Sequence, residues 1–400
     1  MFKLMTLGAS AIFVIVVYTR LIRLLNIRKT AKILLLLLTM LFAVSIRGSL
    51  IISRAIAQDS PWHWLVWVAY GVVTFCALLF VIILIRDILW LGVLLISKVK
   101  NRLSRRGIPT PGDAPSSVEA HLRHQSRRNF LLATSSIAIG GIALVATPAA
   151  IYSAKACRKI RHVTITFDDL PHDLDGLRIA HLADIHVGNT ITKNDIANIV
   201  RETNAQSPDL VAITGDIADG LPEIIGDDLS PMRDFQTKYG TYYVTGNHEH
   251  IWNAPGWCDV IAKLGIHVLN NESRIVQVGG SRLAVAGATD PRGVRDNMPS
   301  DPAAALAGIP EDAFRLMLVH QPMSVDISLE HGADLVLVGH THGGQFWPVN
   351  FIVDAIHKYS RGLYRIGQQA VFVSCGTGYW GPPIRLGVPP EICILTLKRA

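Results

Sequence analysis

The stretch "DLVLVGHTHGGQF", residues 334–346, sets two histidines one residue apart behind an apolar run and ahead of two glycines. Leu335 to Val338 read as a strand buried on both faces and closed by a glycine turn signal. Side chains two apart in an extended backbone share a side, so His340 and His342 are expected to converge at the strand's C-terminal rim with metal-ligand spacing. Four further apolar runs end in polar residues of the same kind: Asp184 and His186 in "LADIH", Asp216 in "AITGD", Asn247 and His248 in "YYVTGNHEH", and His320 after "LMLV". Oxygen and imidazole donors without thiolate suit zinc, iron or manganese. A lone histidine or a lone Gly-Asp has an ordinary explanation as a core or turn residue, but five strand ends of this type in order do not.

The elements that carry these residues form an α/β alternation. Apolar strands are separated by helical stretches such as Lys193 to Asn204 and Trp257 to Leu264. In open α/β sheets ligands gather beyond the C-terminal ends of strands, which is where each of these residues falls.

The five motifs resemble those of the calcineurin-like metallophosphoesterases: Asp-x-His, Gly-Asp, Gly-Asn-His-Glu, His and Gly-His-x-His, over roughly residues 160–400. The resemblance implies a four-layer α/β fold, a β-sandwich core flanked by helices, holding two divalent metal ions (manganese, iron or zinc). It implies that Asp184, His186 and His342 hold the first metal, that Asn247, His320 and His340 hold the second, and that Asp216 bridges them. Such a pair, about 3.5–4 Å apart, generates hydroxide near neutral pH and clamps the attacking and leaving oxygens of a phosphate ester. His248 is then the general acid and Asp219 the carboxylate that orients it. The segment "GHTHGGQ" with "SCGTGYWGPPIRLGVPPEICILTL", residues 374–397, is similar to a membrane-associated bacterial branch. That branch includes twin-arginine-exported phosphoesterases and relatives of UDP-diacylglucosamine pyrophosphatases. The implied substrate is a phosphodiester or pyrophosphate of a lipid or the cell envelope. The rival readings are a phosphomonoesterase or protein phosphatase with the same metals, and a noncatalytic membrane metal sensor, which has no need of His248 and Asp219.

Charge divides the chain of 400 residues. Residues 1–160 hold 20 Lys+Arg against 4 Asp+Glu, a net +16, and the other 240 hold 18 against 27, a net −9. The basicity is local, which fits membrane topology and gives no case for a nucleic-acid partner. The five cysteines include no Cys-x-x-Cys pair, which excludes a thiolate zinc site. Leu4–Tyr18, Ile33–Ile46 and Trp62–Ile85 are expected as three spans in residues 1–100, with the tryptophans near the ends of the third at the membrane interface. A basic Pro/Gly linker follows over 101–128, its turn-rich part "GIPTPGDAPSS" at 107–117. Residues 129–155 read as a fourth span or an internal twin-arginine-type signal behind Arg127 and Arg128. Positive charge is dense in the first and third loops and sparse in the second, which holds Arg47 and Arg54. The first and third loops are therefore expected in the cytoplasm, and the catalytic domain outside a bacterial inner membrane, against the contrary pull of Lys155, Arg158, Lys159 and Arg161. The apolar "FWPVNFIVDAI", residues 346–356, reads as core or as packing against the C-terminal hairpin; the alternative is a lip that dips toward lipid. Oligomeric state is left open.

Overall fold

The computed structural model describes residues 2–25, 27–104 and 117–400, and the protein divides into two compact units, 1–149 and 150–400. The first unit is helical: α1 (Phe2–Arg20), α2 (Lys29–Ala55), α3 (Trp64–Ser104) and most of α4 (Ser117–Ala156). Phe13 and Val17 of α1, Ala43 of α2, Cys76, Leu79 and Ile83 of α3, and Ile139 and Ala143 of α4 are buried together. Much of the remaining apolar surface faces outward, including Leu34, Leu41, Leu94, Ile96 and Val145. Among the described residues two helices are long and apolar enough to cross a membrane, at Trp64–Lys100 and Ala133–Ala156. The expected turn-rich linker lies outside the described residues but for its last serine, as do the side chains of Arg127 and Arg128.

The second unit holds twelve strands, β1 (Lys159–Phe167), β2 (Arg178–Leu182), β3 (Leu210–Thr214), β4 (Thr241–Val244), β5 (His267–Val268), β6 (Glu272–Val278), β7 (Ser281–Gly287), β8 (Ala313–Leu318), β9 (Leu335–Val338), β10 (Gly362–Ile366), β11 (Gln369–Val373) and β12 (Glu391–Arg399). They pair in two six-stranded mixed sheets, ordered β1-β12-β2-β3-β4-β5 and β10-β11-β9-β8-β7-β6. The site-bearing strands β2, β3 and β4 run parallel in the first sheet, and β8 and β9 run parallel in the second.

Alternation along the strands builds the layers. Leu210 and Ala212 of β3, and Leu335 and Leu337 of β9, meet in the core between the sheets. Val211 and Ile213 turn outward to helices Lys193–Asn204 and Ala254–Lys263, against Ile196, Ile199, Trp257 and Ile261. Val336 and Val338 pack outward against Val325 and Leu329 of the helix Val325–Glu330. The period of two therefore feeds two cores from each strand, and the result is four layers, helix–sheet–sheet–helix. The helix at Lys193 begins with a capping box in which the Thr192 amide donates to Asp195 at 2.8 Å. The second expected helix starts three residues early, at Ala254, where the Asn253 side chain accepts from the Gly256 amide.

"FWPVNFIVDAI" meets the C-terminal segment at its start, where Phe346 bridges to Leu386 and Gly387, and the rest departs from the expected core. Val349–Ile356 is a helix whose Phe351, Ile352 and Ile356 are exposed, while Asn350 is buried. Apolar residues at helical spacing mark a face, and only the packing decides whether that face is covered.

Candidate metal centre

Parallel strands put their C-terminal ends on one rim, and the two sheets share it here. Asp184 and His186 follow β2, Asp216 follows β3, Asn247 and His248 follow β4, His320 follows β8, and His340 and His342 follow β9. The seam is closed by His320, whose Nδ1 lies 2.8 Å from the Thr214 carbonyl oxygen at the end of β3.

The backbone at this rim is not extended. Asp184, His186, Asp216, His340 and His342 all have positive φ, between 50° and 72°. This corrects the sequence argument for His340 and His342. They do not lie side by side on a strand edge; the chain turns through left-handed conformations and sends their rings to different neighbours. His342 Nε2 lies 3.1 Å from His186 Nε2 and 3.5 Å from Asp184 Oδ1. His340 Nδ1 lies 3.2 Å from His320 Nε2, which is itself 3.1 Å from Asn247 Oδ1.

Two donor groups result, Asp184–His186–His342 and Asp216–His320–His340, with the ligand atoms of each within 4.8 Å of one another. Asn247 joins the second through its Oδ1. Asp216 Oδ2 lies between the groups, 3.2 Å from His320 Nε2 and 3.8 Å from His186 Nε2. His248 also approaches it at 3.8 Å, and His186, Asp216 and His248 form a third such group. Pairs of ring nitrogens 3.1–3.2 Å apart beside buried carboxylates are a donor set that divalent cations fit. His320 shows how a ring is aimed: Nδ1–H is directed at the Thr214 carbonyl and Nε2 faces Asp216, where burial opposes charge but Asp216 lifts the ring well above the ordinary imidazole value, so a cation binding at Nε2 would displace a proton.

Burial, aided by the charge of His320, pushes His340 down to about 3, and burial with His186 and Arg385 pushes His342 well below the usual imidazole value. Both rings are thus neutral at pH 7, with nitrogens able to donate. Burial would lift Asp216, but the charges of His320 and His248 outweigh it and hold that carboxyl well below the ordinary range. For His248 burial acts downward, yet Asp216 and Asp219 raise it to about 9. Its Nδ1 contacts one Asp219 oxygen in a short hydrogen bond, and the other Asp219 oxygen lies 3.2 Å from His186 Nδ1. Asp219 therefore faces both His248 and His186.

Two residues that sequence reasoning did not single out hold the rim together. Glu249, fully buried, accepts from four backbone amides: Gly246 at 2.6 Å and Asp216 at 3.0 Å on Oε2, Ile217 at 2.7 Å and Ala218 at 3.3 Å on Oε1. It clamps the β3 and β4 loops together, and a side chain at Gly246 would put its Cβ 2.3 Å from the Asp216 nitrogen. Arg385, also fully buried, donates to the His342 carbonyl at 3.0 Å and to that of Gly378 at 2.6 Å, with Nη2 3.1 Å from His342 Nδ1. Glu249 stood in the sequence as the last letter of Gly-Asn-His-Glu, and Arg385 within "GPPIRLG"; neither residue type reveals a role played through main-chain hydrogen bonds.

Glu249→Gln tests the clamp. The amide keeps the shape but turns an NH2 group onto one pair of backbone donors, leaving a buried mismatch that costs about 1–3 kcal/mol. The expected outcome is a lower unfolding midpoint and less bound metal, although Glu249 touches none of the donor nitrogens; metal analysis and unfolding at wild-type levels would remove the clamp from the account.

The calcineurin-like phosphoesterase family profile matches residues 177–344. A Caenorhabditis elegans protein named as a metallophosphoesterase is 33% identical over 297 residues, covering 72% of this chain and 60% of that relative. A Helicobacter pylori metallophosphoesterase is 34% identical over 279 residues, 69% of this chain and 73% of the relative. A Danio rerio transmembrane protein with metallophosphoesterase domain is 29% identical over 377 residues, 91% of this chain and 80% of the relative. With the four-layer fold and the clustered Asp and His donors at one rim, the chain belongs to the calcineurin-like metallophosphoesterases.

Proposed function

We propose that the protein is a membrane-tethered hydrolase of phosphodiester or pyrophosphate bonds in a lipid or envelope component, working with two divalent metals. The observation that carries the two-metal reading is the place of Asp216 Oδ2, 3.2 Å from a ring of one donor group and 3.8 Å from a ring of the other. In this reading Asp184, His186 and His342 hold one cation, Asn247, His320 and His340 hold the second, and Asp216 serves both. Such a pair, when bound, supplies Lewis acidity toward the phosphoryl group and lowers the pKa of water.

The chain's own contribution beyond the ligands is His248. Backed by Asp219, it is positioned to give a proton to the leaving oxygen. Its backbone amide donates to Asp216 Oδ1 at 2.8 Å, so the acid is registered to the shared carboxylate. The Trp380 ring stands edge-on to that of His248, their centroids 6.1 Å apart.

The tether rests on the outward-facing apolar side chains of α2, α3 and α4, on the two helices long enough to span, and on the relatives named as transmembrane proteins. In this reading α1 and α2 are further crossings, four spans in all, and the density of Lys and Arg in the first and third loops supports a catalytic unit outside the cell membrane.

Three experiments test these assignments. Asp216→Asn should strip metal from both sites, whereas His248→Asn should keep most of its metal and lose about 10²- to 10⁴-fold in turnover, less for good leaving groups. Two full equivalents in the Asp216 variant would sink the bridging role, and metal loss in the His248 variant would make that residue a ligand. Turnover should be faster on bis(p-nitrophenyl) phosphate than on p-nitrophenyl phosphate; the reverse order would identify a monoesterase. Alkaline phosphatase fused after Ala400 should be active and green fluorescent protein dark, and the opposite pattern would place the catalytic unit in the cytoplasm.

A further inference from the structure

The exposed apolar surface closest in sequence to the metal centre starts three residues beyond His342, where Gln345 binds the backbone of Trp380. Its side-chain Nε2 donates to the Trp380 carbonyl at 3.0 Å, and its Oε1 accepts from the Trp380 amide at 2.8 Å. From there Trp347, Phe351, Ile352, Ile356 and Trp380 stand 49%, 57%, 56%, 72% and 51% exposed. Large apolar side chains left this exposed beside a polar site mark a contact surface.

Main-chain bonds within the same unit say which surface that is. The Trp347 amide donates to the Leu386 carbonyl at 2.8 Å, Phe346 bridges to Leu386 and Gly387, and the Arg385 amide donates to the Ala150 carbonyl at 3.3 Å. Ala150 belongs to the candidate span Ala133–Ala156. A helix needs about 20 residues to cross the hydrocarbon. Counted from Ala133, that crossing ends near Tyr152, which is exposed, as expected of an aromatic ring at a membrane interface. The helix end is fixed to the catalytic unit: Ala154 is buried in its core, and Lys155 binds Asp195 at 2.8 Å and the Thr190 carbonyl at 2.7 Å. The apolar surface is thus bonded, through Leu386 and Arg385, to the point where the chain leaves the bilayer.

We propose that Trp347, Trp380 and the exposed face of Val349–Ile356 rest in the headgroup layer of the bilayer and hold the mouth of the metal centre at the lipid surface. The inference depends on the membrane-tether reading and adds to it a fixed posture of the catalytic unit. Tryptophans flanking an aliphatic helix face are the chemistry of an interfacial foot. A phosphoester carried by a lipid then reaches the site without leaving its layer.

The test uses the full chain, loaded with metal, in nanodiscs of phosphatidylethanolamine and phosphatidylglycerol. Spin labels are placed singly at Ile352→Cys, at Ile356→Cys and, as a reference, at Leu95→Cys in α3, with the half-buried Cys157 and Cys258 replaced by Ser. Relaxation by oxygen, which concentrates in lipid, is compared with relaxation by a water-soluble nickel chelate. The expected result is a strong oxygen preference at 95 and an oxygen preference at 352 and 356 intermediate between 95 and an aqueous label. A lipid signature at 95 with an aqueous one at 352 and 356 would overturn the foot and leave the tether standing. Aqueous signatures at all three would overturn both. Shielding of 352 and 356 from both reagents would place protein, a second copy or another chain, over the patch and also overturn the proposal.

Discussion

The centre depends on left-handed backbone at the ends of three strands. Asp184, His186, Asp216, His340 and His342 adopt positive φ without being glycine, a conformation that costs about 1–2 kcal/mol for each such residue. It is stable because the loops hold one another. The Asp184 amide donates to the Gly215 carbonyl and the His186 amide to that of Asp216, each at 3.1 Å, while the His340 amide donates to the Asp184 carboxylate at 3.0 Å. Glu249 fastens the next loop by four amides. These bonds run between loops of different strands, so the shape belongs to the packed rim. The strain is repaid in direction, since only such turns send His340 and His342 to different donor groups.

The same convergence concentrates negative charge. Asp184, Asp216 and Glu249 are buried within the rim, and burial together with the neighbouring Asp216 pushes Glu249 up. Burial likewise raises Asp184. Carboxylates brought this close out of water need cations or imidazolium rings beside them. The neutral His340 and His342 supply lone pairs and His248 and His320 face Asp216, so a site suited to cations follows from how the rim folds.

Most of the donors were legible in the sequence because parallel strands write their ends plainly: an apolar run such as Leu335–Val338, then a glycine, then a polar side chain. The helix Lys193–Asn204 was read with its observed bounds, and the structure adds the Thr192–Asp195 box that starts it. The turns at the rim were not, because aspartate and histidine give no sign of the positive φ that a glycine would have announced. Glu249 and Arg385 were hidden for another reason: they act on backbone groups, whose positions come from tertiary contact. The face of Val349–Ile356 was misplaced because periodicity shows that a helix is two-sided without showing what lies against it.

The central claim is that one carboxylate, Asp216, joins two cation sites at the shared rim of the sheets. Anomalous scattering from crystals of the metal-loaded protein addresses it most directly. The account predicts two peaks per chain, one among Asp184, His186 and His342 and one among Asn247, His320 and His340, with Asp216 between them and His248 outside both coordination spheres. A single peak, or a peak coordinated by His248, would contradict it.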